Sequence, residues 1–326
     1  MEAARSQMGP VRLLRRAVPW LVGLAIVAFI VARVPLAAFR QALEAGPHLV
    51  LAAVNVVLIL AILCMDSAST WIGLVALSMR RPFAKVMAVR GATYVLFLLN
   101  YALGQGGFGY YLHRTGVPAL RAVGATLFLI GTNLATLLLV TAVAFAIRDA
   151  DTAHVELWWT LVIGCAAFLA YLLVIVAAPR FASRREVLAP LFDAGLRGHA
   201  LAMLGRIPHV AVIVIGHWVA IRAWGIEVPF SVALTLMPAV VIASVLPISP
   251  AGLGTTQAAL VYFFADYAPG ATADDRTAAV LAFAIVYFVY GVLAALVVGL
   301  ACTPLARRAG AFATRTPPAG PPDGAA

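Results

Sequence analysis

The apolar stretch from Ala243 to Phe264 limits what this chain can fold into more than any other segment. Its sequence, ASVLPISPAGLGTTQAALVYFF, places two prolines and two glycines within eight positions. One regular helix cannot hold all four, because proline lacks a backbone N–H and glycine disfavours helix. Broken backbone at membrane depth is tolerated only where it is buried in protein or lines a cavity. The stretch therefore predicts a helix, a break and a second helix from Thr255, as in the substrate sites of transporters.

Composition identifies the surroundings of that break as a lipid bilayer. Hydrophobic residues make up 63% of the 326-residue chain, charged residues only 11%, and the mean hydropathy is +1.00. These values are typical of a polytopic membrane protein without a sizeable soluble domain. The net charge is +10, but the basic residues lie at the ends of apolar runs, where they set topology and contact anionic lipids. We therefore predict no nucleic-acid partner. The three cysteines lack metal-type spacing, so we predict no disulfide, metal or other cofactor.

The apolar runs predict an all-α fold with six full transmembrane helices and two re-entrant hairpins. The six helices are predicted at residues 17–32, 49–79, 122–147, 157–178, 207–224 and 277–300. The run 86–112 has basic residues on both flanks and a glycine-rich second half, whereas 232–264 has acidic residues on both flanks. Matching flanks favour segments that enter and leave on the same side. The alternative is eight ordinary spans, with small residues that allow close helix packing.

The layout predicts one transmembrane domain, 1–303, built from an inverted repeat of 17–147 and 157–303. Each half contains two spans, a hairpin and a span. The hairpins carry short matching cores, GGFG at Gly106–Gly109 and AGLG at Ala251–Gly254. One hairpin enters from the cytoplasm and the other from outside, which is an arrangement known in transporters.

Charge placement predicts the location of the protein and of its ends. Most of the 23 Lys and Arg residues fall on one side of this layout. That bias predicts a bacterial inner-membrane protein with both termini in the cytoplasm. The tail, 304–326, is rich in Pro, Gly and Ala and is predicted to be disordered.

Both hairpins supply candidate residues for binding a phosphate-bearing headgroup near the membrane midplane. In the second hairpin, glycines would allow close approach, and the helix from Thr255 would direct free N–H groups at an anion. The candidates there are Pro247, Ser249, Pro250, Gly252, Gly254, Thr255 and Gln257. In the first hairpin, Arg114 offers charge-assisted hydrogen bonds. The candidates there are Asn100, Gln105, Gly106, Gly107, Gly109, Tyr110 and Arg114. The alternatives are a helix-packing corner in the second hairpin and a topology-setting charge at Arg114.

Asp66 is the acid that lies well inside an apolar run. An ionisable group within a membrane span is a functional hypothesis, and its partner should be named. Asp66 could pair with Arg90 or Arg222, or carry a coupling proton, unless its helix ends early and the carboxylate lies at the interface. For His217, the simplest prediction is a hydrogen bond to a neighbouring helix, and the alternative is a role in coupling or in an ion pair.

Two motifs resemble those of the lysylphosphatidylglycerol synthase transmembrane family, also called flippase-like integral membrane proteins. The segment LPISPAGLGTTQAALVYFF resembles the family's proline-rich turn, glycine motif, polar pair, acid and apolar helix. The segment NYALGQGGFGYYLHRTGVP resembles its earlier glycine-rich motif. The chain departs from the family at Gln257, where many members carry Glu, and near Gln105 and Tyr110, where many carry an acid. Acid-dependent proton coupling or cation binding is therefore in doubt.

The resemblance implies lipid or lipid-linked-sugar translocation, or support of an envelope glycolipid pathway, without lysyl transfer. We therefore expect a flippase for an anionic phospholipid or a polyprenyl-phosphate-linked glycolipid. The expected partners are membrane lipids or a lipid-linked saccharide, with an envelope-biosynthesis enzyme as a further candidate. Zinc-protease, P-loop and serine-hydrolase motifs are missing, so we do not expect an enzyme. The alternatives are a non-transporting scaffold of an envelope glycolipid enzyme and an integral membrane transferase.

Overall fold

The computed structural model describes residues 10–32, 34–147, 155–245 and 250–311, and within these ranges it contains helices and no strands. This confirms the predicted all-α fold. The α-helices are α1 (Pro10–Ala32), α2 (Leu36–Glu44), α3 (His48–Ala76), α4 (Phe83–Leu99), α5 (Tyr101–Arg114), α6 (Ala119–Ile147), α7 (Val155–Ala177), α8 (Arg180–Ser183), α9 (Ala189–Ala223), α10 (Phe230–Val245), α11 (Thr255–Phe264) and α12 (Ala273–Arg308). Short 3₁₀ turns occur at Pro250–Gly252 and Ala265–Tyr267.

Five helices of the described chain, α3, α6, α7, α9 and α12, are long and apolar enough to cross a membrane. A sixth crossing is obtained if α1 and α2 form one broken span. The two parts, Leu21–Ala32 and Leu36–Glu44, meet at an angle of 102°. Together with the two helical hairpins described next, this arrangement is that of a polytopic membrane protein.

The first hairpin consists of α4 and α5, which fold back on each other. They are separated by Asn100 alone, whose backbone is extended (φ −168°, ψ 142°). The two outer ends of the hairpin meet, because Nη2 of Arg81 donates a hydrogen bond of 3.1 Å to the carbonyl oxygen of Thr115. The chain thus leaves this segment on the side of the bundle where it entered.

The second hairpin consists of α10 and α11, and the described part of the segment between them is a 3₁₀ turn at Pro250–Gly252; residues 246–249 lie outside the described chain. The outer ends of this hairpin also meet. The backbone N–H of Glu227 donates a hydrogen bond of 3.1 Å to the carbonyl oxygen of Tyr267. Near the turn, the hydroxyl of Thr255 donates to the carbonyl oxygen of Ala243 at 2.9 Å, which fixes the start of α11 against α10.

The bases of the two hairpins lie at opposite ends of the bundle. One buried apolar cluster joins the first base to the last turns of α3 and α12, through residues that include Leu77, Val86, Val117 and Ala306. A second cluster joins the other base to the first turns of α3 and α12, through residues that include Leu51, Val228, Phe264 and Ala279. We call these the arginine-rich end and the acidic end, after Arg80, Arg81, Arg307 and Arg308 and after Glu227, Asp266, Asp274 and Asp275. The inverted repeat, and how the hairpins meet the membrane, stay predictions.

The break in the first hairpin differs from the one predicted at its glycines. Gly104, Gly106, Gly107 and Gly109 all lie inside α5, and the chain reverses at Asn100 instead. Most of these glycines make room for neighbouring helices. A Cβ atom on Gly107 would lie 2.6 Å from Cδ1 of Leu96 on α4, and one on Gly109 would lie 2.6 Å from the hydroxyl of Thr126 on α6. The glycine pattern therefore marks close packing in a helix rather than a turn.

Two helices extend beyond their predicted limits. The helix α12 continues through Pro304 to Arg308, into the segment predicted to be a disordered tail, because Ala306 is fully buried in the cluster at the arginine-rich end. Residues 312–326 of that tail lie outside the described chain. The helix α9 begins at Ala189, well before the predicted span at 207, and is interrupted at Gly195, where φ is 56°.

Candidate functional site

A buried carboxylate joins three helices in the interior of the bundle. Asp66 on α3 is 4% exposed. Its Oδ2 accepts a hydrogen bond of 2.6 Å from Nε of Arg90 on α4, and its Oδ1 accepts one of 2.7 Å from Nη1 of Arg206 on α9. Both arginines are 4% exposed. We call Asp66, Arg90 and Arg206 the charged cluster.

Arg90 is held in place on all sides. Its Nη1 donates a hydrogen bond of 3.1 Å to Oε1 of Gln105, whose Nε2 in turn donates one of 2.9 Å to the hydroxyl of Tyr101. The guanidinium carbon also lies 5.5 Å from the ring centres of Phe97 and Phe108, within the range of a cation–π interaction. Arg90 therefore has little freedom to move toward a ligand.

Arg206, unlike Arg90, has N–H donors that form no hydrogen bond with the described residues. Within the described chain, Nε and Nη2 of Arg206 have no hydrogen-bond partner, because its one hydrogen bond uses Nη1. His209, one turn further along α9, places Nε2 at 3.9 Å from Oδ1 of Asp66, and its buried Nδ1 has no partner. With this imidazole neutral, two guanidinium groups face one carboxylate, so the site carries one net positive charge.

The charged cluster lines a cavity of about 310 Å³ at the point where the tips of the two hairpins meet. The first tip contributes Leu98 and Tyr101, and the second contributes Val245 and Ala251. Ala295, near the middle of α12, closes the cavity on a further side. Asp66 lies ten residues before the end of α3, or about 15 Å at 1.5 Å per residue. This distance is about half the thickness of a 30 Å hydrocarbon core.

A second cavity, of about 220 Å³, lies beside the first. Leu98, Ser244 and Ala251, at or near the two hairpin tips, line both cavities. The second cavity extends to Asn55, which lies eleven residues before Asp66 on α3, and therefore about 16 Å closer to the acidic end. Residues at the hairpin tips thus line both a charged cavity and a weakly polar one.

Local sequence explains why the first tip reaches the cavity. The side chain of Asn100 accepts a hydrogen bond of 2.7 Å from the backbone N–H of Ala102, which caps the start of α5. The helix therefore begins directly at Tyr101. Gln105 follows one turn later on the same face, so it reaches Arg90 while its amide bonds to Tyr101.

The predicted residues of the second hairpin form the structure of its turn. Pro247 and Ser249 lie outside the described residues, whereas Pro250 is buried. Gly252 and Gly254 have φ of 75° and 86°, a region that favours glycine. A Cβ atom on Gly254 would lie 2.7 Å from the carbonyl oxygen of Gly23 on α1, so this glycine allows helix contact.

Thr255 and Gln257 are likewise engaged within the turn. Besides its bond to α10, the hydroxyl of Thr255 donates to the carbonyl oxygen of Gly252 at 3.1 Å. Gln257 is fully buried, and its Oε1 accepts a hydrogen bond of 2.6 Å from the N–H of Gly254. None of these groups lines the cavity, although their neighbour Ala251 does.

Of the residues predicted in the first hairpin, Gln105 reaches the charged cluster and Asn100 caps the helix beside it. Gly106 is exposed, and no atom lies within 4 Å of the position that a Cβ atom would take there. Tyr110 is 53% exposed and faces away from the cavity. Arg114 lies in the last turn of α5, at the arginine-rich end.

The ionisable residues predicted in the spans are only partly brought together. Asp66 pairs with Arg90, which is one of the two partners proposed for it. Arg222 is exposed at the end of α9 and does not line the cavity. His217 lines the cavity, but its Nδ1 bonds to the carbonyl oxygen of Ile213 in its own helix at 2.7 Å, and its ring packs edge-on against Tyr287.

Sequence reasoning misses Arg206 and His209, because Arg206 follows a series of arginines that is typical of a cytoplasmic loop. The spacing of these two residues, at i and i+3, places them on one face of a helix. This spacing, immediately before an apolar run, is the signal that could have identified them. The described residues contain no group of three potential metal ligands.

Comparison with known proteins identifies the family. The family model of the lysylphosphatidylglycerol synthase TM region matches residues 17–295, which include both hairpins and the charged cluster. No curated protein matches the chain. Because the matched region covers most of the chain, this protein belongs to the lysylphosphatidylglycerol synthase TM region family.

Proposed function

We propose that this protein moves an anionic lipid, either a phospholipid or a polyprenyl-phosphate-linked glycolipid, across the membrane. The observation that carries the proposal is the charged cluster, which leaves one net positive charge and the free donors of Arg206 in a cavity at mid-membrane depth. Membership of the family supports a less specific role, in lipid metabolism or transport. In this proposal the protein is not an enzyme, since its one cavity carboxylate is engaged by two arginines.

A buried unpaired charge is costly, and in membrane proteins it marks a substrate or ion pathway. A lipid phosphate would neutralise the extra guanidinium by charge-assisted hydrogen bonds. Residues at the two hairpin tips line both this cavity and the second one, so movement of the tips could pass a headgroup from one cavity to the other. In this proposal the arginine-rich end faces the cytoplasm of a bacterial cell.

The proposal predicts that Arg206→Gln abolishes transport. The full chain would be reconstituted in vesicles that contain fluorescent phosphatidylglycerol, and transport measured as the fraction of label that a membrane-impermeant quencher reaches. We expect the wild type to exceed protein-free vesicles, and Arg206→Gln to fall to their level, because the variant removes the donors that face the cavity.

Arg197→Gln is the matched control, since Arg197 lies on the same helix but is exposed. It should transport at the wild-type rate. Transport by Arg206→Gln at the wild-type rate would contradict the proposed site. A wild type that moves no anionic lipid would contradict transport itself and favour a scaffold.

A further inference from the structure

The charge of the cavity limits which anionic headgroups it can accept. Besides the charged cluster, its lining consists of apolar residues and of polar residues that are neutral when their histidines and tyrosines are uncharged. Asp66 neutralises one of the two guanidinium groups, so a single positive charge remains. Asp66, Arg90 and Arg206 are each only 4% exposed, and beside such buried charges each further charge without a partner opposes binding.

We propose that the cavity selects headgroups with one negative charge on a single phosphodiester, and discriminates against diphosphate-linked headgroups. This inference rests on the proposed function, because it takes the cavity as the lipid-binding site. A phosphodiester would bring the charge of the occupied cavity to zero. A diphosphate would leave one negative charge uncompensated within the protein.

The geometry of the donors leads to the same conclusion. Nε and Nη2 of Arg206 lie on one edge of its guanidinium, and such an edge donates two parallel hydrogen bonds to two oxygens of one phosphate. Arg90 has no comparable edge free, since Asp66 and Gln105 engage it.

A second phosphate would therefore meet only neutral groups. Three residues that line the cavity each carry a buried polar atom with no partner among the described residues: the hydroxyl of Tyr94, Oδ1 of Asn133 and Nδ1 of His209. These atoms suit the hydroxyl groups of glycerol or of a sugar better than a second anion.

The test compares two ligands that share tail and sugar, farnesyl phosphoryl-glucose and farnesyl diphosphoryl-glucose. Each competes with fluorescent phosphatidylglycerol for the purified full-length protein, and the dissociation constants are compared. We expect the monophosphate-linked ligand to bind at least about tenfold more tightly. Asp66→Asn raises the charge of the cavity by one and should reverse this order.

If Asp66→Asn does not fold, the comparison of the two ligands on the wild-type protein still tests the inference. Gln105→Glu then changes the charge of the cavity in the opposite direction. It lowers the charge of the cavity to zero and should weaken binding of both ligands. Equal or tighter binding of the diphosphate by the wild type would overturn the inference and leave the proposed function intact. If neither ligand nor phosphatidylglycerol binds, both are overturned.

Discussion

Asp66 joins three helices in the interior of the bundle, because its two carboxylate oxygens accept hydrogen bonds from arginines on two other helices. Without this carboxylate, two buried guanidinium groups would face each other. Removal of one partner of a buried ion pair costs about 3–5 kcal/mol, since the remaining charge stays desolvated. The carboxylate therefore has a structural role in addition to setting the charge of the cavity.

We predict that Asp66→Asn lowers the free energy of unfolding by about 3–5 kcal/mol, measured by thermal or denaturant unfolding in detergent micelles. Glu44→Gln is the control, because it breaks an ion pair with Arg40 in which both side chains are mostly exposed. That change should cost no more than about 0.5 kcal/mol. Equal losses for the two variants would show that the buried carboxylate is not structurally special.

At the scale of single residues, the sequence predicts the pairing of Asp66 with Arg90 but not its pairing with Arg206. An acid inside an apolar run stands out, and Arg90 is one of its two proposed partners. Arg206 follows Asp66 by 140 residues, and only folding shows that α9 packs against α3. A basic residue at the start of an apolar run has the same appearance whether it snorkels to the interface or reaches an internal acid.

Among the elements, α5 shows best how small residues position the site. It packs between α4 and α6, and it presents Gln105 to Arg90. Gly109 sits in the contact with α6, whereas Gly106 has nothing near its Cβ position. The same residue type therefore has two different roles within one helix.

We predict that Gly109→Ala destabilises the protein by about 1–3 kcal/mol, because its new methyl group would overlap the hydroxyl of Thr126. Gly106→Ala is its matched control and should be neutral or stabilising by up to about 1 kcal/mol, because alanine favours helix. Unfolding in detergent measures both. If the two variants prove indistinguishable, close packing of α5 on α6 is refuted.

The sequence predicts that the first hairpin is broken, but it does not predict where the break lies. Glycine is compatible both with a turn and with close helix contact, so four glycines in α5 could not decide between the two. Asn100 decides the position, because its side chain caps α5 while its backbone is extended. In the second hairpin two prolines and two glycines fall within eight positions, and this combination located the break more closely than glycines alone could.

For the whole molecule, the two hairpin bases lie at opposite ends of the bundle, an arrangement that the proposed transport could use. Each base is held by a hydrogen bond, and residues at the two tips line both cavities. The alternation of charge along the chain predicts an order of spans and hairpins that stays a prediction. The meeting of the tips could not be predicted, because it depends on contacts between segments about 150 residues apart.

Single-cysteine labelling in intact cells tests this topology, in a background without Cys64, Cys165 and Cys302. Probes at Arg80 and Ala119 flank the first hairpin, and probes at Glu227 and Ala273 flank the second; all four positions are exposed. A membrane-impermeant reagent should label only the second pair from outside, because the two bases lie at opposite ends. Labelling of Arg80→Cys and Ala119→Cys from different sides would show that the first hairpin crosses the membrane.

The charged cluster also has a consequence for biosynthesis. Arg90 follows Asp66 by 24 residues, so at about 5–20 residues per second the ribosome supplies it within roughly 1–5 s. Arg206 follows by 140 residues and arrives roughly 7–28 s after Asp66. The nascent chain can therefore neutralise its acid locally as it leaves the translocon. The excess cation arrives only with α9, before the second hairpin and α12, which complete the cavity, have been synthesised.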